Sequence, residues 1–109
     1  MNNTARITFI RNDGTSQVID ALCGKSLMQS ARAAAVPGIL ADCGGELACS
    51  TCHCYVEASW MLRLPQPSDD EAAMLGFVWE PRPNSRLTCQ IRVTADLDGL
   101  VLSVPERQI

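Results

Sequence analysis

The 109-residue sequence holds a single lysine, Lys25, and a single histidine, His53. Basic residues number 9 against 12 acids, giving a formal charge of −3. A chain without a basic excess is a poor match for phosphate backbones, so no nucleic-acid partner is expected. An acidic protein is instead steered toward a basic patch on another protein. No apolar run approaches the roughly 20 residues that a membrane helix needs, and no membrane association is expected. Met1 to Arg6 form neither an apolar leader nor an Arg- and Ser-rich transit pattern. No internal repeat and no linker interrupts the chain. Together these absences predict one domain over residues 1–109 and a cytoplasmic location. In a reducing compartment the 6 cysteines are expected to be ligands or buried thiols rather than disulfides.

What is present reads as alternating strands and helices. Arg6 to Ile10 alternates polar and apolar residues, Asn12-Asp13-Gly14 supplies a turn, and Ser16 to Ile19 resumes the alternation. This is the pattern of an opening β-hairpin. Ser26-Leu-Met-Gln29 has the form of a capping box ahead of a helix over Leu27 to Ala35, with an apolar face at Leu27, Ala31 and Ala34. Val36-Pro37-Gly38 stops it. Asp42 to Thr51 is rich in Gly, Ala and Ser and should be an irregular loop.

His53 to Glu57 follows as a strand, with Cys54 and Val56 on one face. Ser68-Asp-Asp-Glu71 is a second capping box, with acids where the helix dipole favours them, and its helix should fade near Gly76. Leu87 to Thr94 reads as a strand carrying Cys89 near its start. Asp98-Gly99 turns the chain into a last strand, Leu100 to Val104. The order implies an α+β domain with a mixed sheet and a helix packed across it.

The chemistry lies in the cysteines. Cys43, Cys49 and Cys52 follow the spacing C-x5-C-x2-C, with Cys89 far downstream. A binuclear iron–sulfur cluster needs four thiolates, two for each iron. Three can come from one loop only if it curls around the cluster, and Gly44, Gly45, Ala48 and Ser50 supply the small, permissive residues for that. A curled loop also turns backbone N–H groups toward the sulfurs. Other readings stay open on spacing alone. A structural zinc site favours two short C-x2-C hooks, and there is one here. A redox dithiol at Cys49 and Cys52 is conceivable. The compact C-x2-C-x2-C run of a 4Fe-4S ferredoxin is absent, and one histidine cannot supply the two imidazoles of a Rieske centre. Cys23 and Cys54 read as small buried hydrophobes, with Cys54 the nearer competitor for a ligand role because it lies so close to Cys52.

Several stretches resemble the adrenodoxin- and putidaredoxin-type 2Fe-2S ferredoxins. They are Cys-Gly-Gly at 43–45, Cys-Ser-Thr-Cys-His at 49–53, Pro-Asn-Ser-Arg-Leu-Thr-Cys-Gln-Ile at 83–91, Leu-Asp-Gly-Leu-Val at 97–101 and Val-Pro-Glu-Arg-Gln at 104–108. The tail points to the putidaredoxin-like bacterial branch. The resemblance implies a β-grasp ferredoxin fold and one 2Fe-2S cluster, with Cys43 and Cys49 on one iron and Cys52 and Cys89 on the other. It implies an electron-transfer protein rather than an enzyme. Such a carrier takes one electron at a time from an FAD-dependent NAD(P)H ferredoxin reductase and delivers it to a cytochrome P-450 monooxygenase. Relatives that serve iron–sulfur cluster assembly give the alternative client.

The resemblance also suggests a docking face and a support for the cluster loop. Asp69, Asp70 and Glu71 match the helix where relatives carry partner-facing acids, although helix capping explains the same residues. Asp42 matches an acid at the oxygenase interface. Contacts with two partners in turn are expected to be transient and electrostatic, and the chain a monomer. Ile109 stands where that branch can carry an aromatic residue, which sets this tail apart. His53 is expected to tie the cluster loop to the segment before the last cysteine, with Ser85 as its partner. No nucleophile–base pair suggests catalysis by the chain itself.

Overall fold

Alternation of apolar residues builds the first two strands of the computed structural model, which describes residues 3–11, 13–36, 53–78 and 80–105. Strand β1 (Thr4–Ile10) buries Ala5, Ile7 and Phe9, and β2 (Ser16–Leu22) buries Ile19 and Ala21. The two pair antiparallel from Thr4↔Leu22 to Ile10↔Ser16. At the turn, Asp13 accepts hydrogen bonds from the Thr15 N–H (3.0 Å) and hydroxyl (2.6 Å), and Gly14 takes a positive φ of 88° that a side chain would oppose. The hairpin runs further at its open end, to Thr4 and Leu22, than the alternation alone suggested.

Helix α1 (Leu27–Ala33) begins at the expected capping box. Ser26 Oγ accepts the Gln29 N–H at 3.1 Å, and Gln29 Oε1 accepts the Ser26 N–H at 3.0 Å. Leu27, Met28 and Ala31 are buried against the sheet. The helix ends two residues short of Ala35, which adopts a left-handed φ of 56°.

Strand β3 (His53–Val56) is buried throughout its length. A single-turn helix α2 (Ala58–Met61), which the sequence did not announce, and α3 (Asp69–Leu75) lead to β4 (Ser85–Leu87). The strand expected over Leu87 to Thr94 does not form. Ser85 to Leu87 pairs with β3, and Thr88 to Gln90 then turn as a 3-10 helix, so Cys89 sits on a turn rather than a strand. Strand β5 (Val101–Ser103) closes a sheet of order β2-β1-β5-β3-β4. It runs parallel to β1 and antiparallel to β3. The sheet is therefore mixed, and α1 packs on it, as the element order implied. Leu87, Ile91, Val93, Leu97, Leu100 and Leu102 complete the core from the C-terminal side.

Candidate functional site, an iron–sulfur centre

Strand β3 sorts its residues by face. Cys54 and Val56 are fully buried in the apolar core. Burial pushes the Cys54 thiol far above the ordinary cysteine range, in keeping with a thiol sealed in the apolar core. His53 and Tyr55 lie edge to face, with ring centroids 4.6 Å apart. The segment before β4 covers them. His53 Nε2 lies 2.8 Å from Ser85 Oγ, the link expected from the sequence, and Ser85 Oγ also accepts the Arg82 N–H at 2.9 Å. The Arg82 guanidinium stacks 4.1 Å from the Tyr55 ring centroid, and Tyr55 donates its hydroxyl to the Glu80 carbonyl at 2.7 Å. Burial first, and then the Arg82 charge, lower the His53 pKa to about 4.

Antiparallel pairing of His53 with Leu87 and of Tyr55 with Ser85 places the start of β3 and the end of β4 at one end of the sheet. The 3-10 turn with Cys89 begins there. Cys89 is half-buried against the core, and Gln90 Nε2 lies 3.5 Å from its Sγ. Cys43, Cys49 and Cys52, and with them Asp42 and Ile109, lie outside the described residues. Among the described residues no group of three or more His, Cys, Asp or Glu converges as a metal site. Cys89, half-buried and receiving an N–H donor, suits a thiolate ligand, whereas the sealed Cys54 does not. Cys23 is half-buried beside the core, and its backbone N–H donates to the Asn3 carbonyl at 2.7 Å.

The turn is braced from behind by a charge pair that sequence spacing gave no hint of. Arg86 donates through Nε (2.7 Å) and Nη2 (3.0 Å) to the Glu71 carboxylate, which also accepts the Leu87 N–H at 3.0 Å. Arg86 Nη1 reaches the Pro65 carbonyl at 2.9 Å. This corrects two expectations for Glu71. Its backbone N–H is capped by Ser68 Oγ at 3.1 Å, but its side chain turns inward instead of completing a capping box. With 1% exposure it cannot belong to a docking face. Asp69 and Asp70, in the same first turn, are exposed.

Residues 10–94 match the family model described as the 2Fe-2S iron-sulfur cluster binding domain. The chain belongs to this family of 2Fe-2S ferredoxins. Rhodocoxin of Rhodococcus erythropolis is 42% identical over 104 residues, covering 94% of this ferredoxin and 97% of rhodocoxin. The crystal structure of a reduced putidaredoxin variant from Pseudomonas putida superimposes with a TM-score of 0.93 at 42% identity, covering 96% of this ferredoxin and 100% of that chain. Putidaredoxin in a covalent complex with putidaredoxin reductase is similar at a TM-score of 0.91 and 41% identity, over 94% of this ferredoxin and all of that chain. The mixed sheet with its packed helix is thus the β-grasp ferredoxin fold. The ferredoxin is a one-electron carrier rather than an enzyme, and its cofactor is one 2Fe-2S cluster. Among the described residues no helix is long and apolar enough to cross a membrane.

Proposed function

We propose that this ferredoxin, acting as a single domain over residues 1–109, carries electrons from an FAD-dependent NAD(P)H ferredoxin reductase to a cytochrome P-450 monooxygenase. The observation that carries the reading is its likeness, over nearly the whole chain, to putidaredoxin, which forms a complex with its own reductase. A monomer in the cytoplasm suits this role, and the free thiols Cys23 and Cys54 are at home in a reducing compartment.

In this reading Cys43 and Cys49 hold one iron and Cys52 and Cys89 the other, and the bound cluster supplies a site that stores a single electron. Cys52 is one peptide bond from His53, and Cys89 is two residues from Leu87, the partner of His53 in the ladder. The His53–Ser85 link and the Glu71–Arg86 clamp hold those two flanks in register. Cys54 contributes a neutral thiol to the core and no bond to iron.

Asp69 and Asp70 supply the exposed acids for transient, charge-guided docking, joined by Asp42 on the cluster loop. Rim charges of this kind are worth about 0.2–1 kcal/mol each. Asp69→Asn with Asp70→Asn is therefore expected to raise the half-saturating concentration several-fold at low ionic strength and to blunt its salt dependence. The test is reconstitution with a neighbouring reductase and P-450, with substrate-dependent NADH oxidation as the readout. Turnover that requires all three proteins supports the proposal. Full cluster content with no turnover on any P-450, together with support of iron–sulfur cluster assembly, would favour the other client.

A further inference from the structure

Gln90 closes the 3-10 turn that carries Cys89. Its carboxamide folds back on its neighbour, with Nε2 3.5 Å from Cys89 Sγ. A thiolate has acceptor capacity alone, so it is the NH2 end of the amide that suits this position. Cys89 and Gln90 also line a surface cavity of about 270 Å³ together with Gly24, Ser26, Gln29 and Arg92. Water-sized space thus comes up to the ligand turn, and the partly buried Gln90 forms part of its wall.

We infer that Gln90 is a positioning residue that raises the reduction potential of the cluster by donating an amide hydrogen to Cys89 Sγ. The inference rests on the proposed ligand role of Cys89 and deepens it. Four thiolates and an oxidised 2Fe-2S core carry a formal charge of about −2, and the single electron accepted from the reductase takes it to about −3. A donor aimed at a ligand sulfur stabilises the more negative state more, and so favours reduction. The bond is charge-assisted, which strengthens it relative to one made to a neutral thiol.

The test uses the intact, cluster-loaded protein. Gln90→Met fills a similar volume without a donor. In an equilibrium redox titration followed by the paramagnetic signal of the reduced cluster, the ratio of reduced to oxidised protein at a fixed ambient potential should fall about three- to tenfold. A tenfold change corresponds to about 59 mV for a one-electron couple. The iron–thiolate stretching bands in the resonance Raman spectrum should move to higher frequency, as expected when a sulfur stops sharing charge with a donor. Gln90→Ala, which lets water from the cavity replace part of the donation, should show a smaller fall. Gln90→Glu, which removes the donor and adds a negative charge, should show a larger one.

An unchanged potential and unchanged Raman bands in Gln90→Met, at full cluster content, would overturn the inference while leaving the ligand assignment intact. Cys89→Ser separates the two readings. A normal cluster spectrum in that variant would overturn the ligand assignment and the inference with it, whereas a lost or altered spectrum upholds Cys89 as a ligand.

Discussion

At one edge of the sheet β1 and β2 pair along 7 residues each, joined by a tight turn, and their inward residues are small or apolar. At the other edge β4 offers 3 residues to β3, and the residues around that short ladder include a histidine, a serine, a glutamate and an arginine, all buried. The first edge is held by its backbone ladder and by side chains that only need to be apolar and of suitable size. The second is the one that leads into the cysteines, and there side-chain hydrogen bonds replace ladder length. Buried polar groups confer one geometry when all are satisfied and cost heavily when one partner is removed. The region that must hold ligand positions for a cluster is therefore the region most sensitive to loss of a single polar atom.

Glu71→Ala should break this contrast most severely. It leaves the Arg86 guanidinium and the Leu87 N–H buried without their acceptor, and loss of one member of a buried pair costs about 3–5 kcal/mol. We expect a much lower unfolding midpoint by circular dichroism, with bleaching of the cluster at the same temperature. The double replacement Glu71→Met with Arg86→Met should recover much of the loss, because it removes both charges together. A double variant as unstable as Glu71→Ala would mean that the Leu87 N–H, rather than the ion pair, is what Glu71 serves.

Ser85→Ala removes the acceptor of the Arg82 N–H and the partner of His53 at once. An expected loss of about 1–3 kcal/mol, read by the same melts, should come with faster cluster bleaching. Ser26→Ala deletes the α1 cap and should cost about 1 kcal/mol, read by the same melts. The smallest effect concerns the β1–β2 turn. The Thr15 hydroxyl and N–H lower the pKa of Asp13 below its ordinary 3.8. Its contribution is present above the unfolded value and is lost as the pH falls through the lower folded value. Asp13→Asn should lower stability slightly at neutral pH, flatten the acid limb of the stability curve, and make no difference once the pH is below the lowered folded value.

The same contrast explains what could be read from the sequence. The hairpin and the α1 cap follow local rules, two-residue alternation and a box four residues long, so Arg6–Ile10 and Ser26–Gln29 announced themselves. The His53–Ser85 link came from family likeness, since 32 residues separate its members. Glu71–Arg86 was invisible for a related reason. Glu71 sits where a capping box wants an acid, and nothing local reveals that an arginine 15 residues later draws its carboxylate inward. The strand forecast across Leu87 to Thr94 failed where the chain gives up pairing with β3 to turn at Cys89. Helix α2 has one turn and no side-chain cap, which left no local signal to find. The cysteine spacing lies within one local stretch of sequence, whereas the polar supports meet only in space.

The central claim is that Cys43, Cys49, Cys52 and Cys89 hold the cluster and that Cys54, two residues beyond Cys52 and sealed in the core, does not. Comparing Cys52→Ser with Cys54→Ser by visible absorption and by iron and acid-labile sulfide content tests it most directly. The account predicts a bleached or severely unstable protein from Cys52→Ser and a nearly native spectrum with full iron and sulfide from Cys54→Ser. The reverse pattern would contradict it.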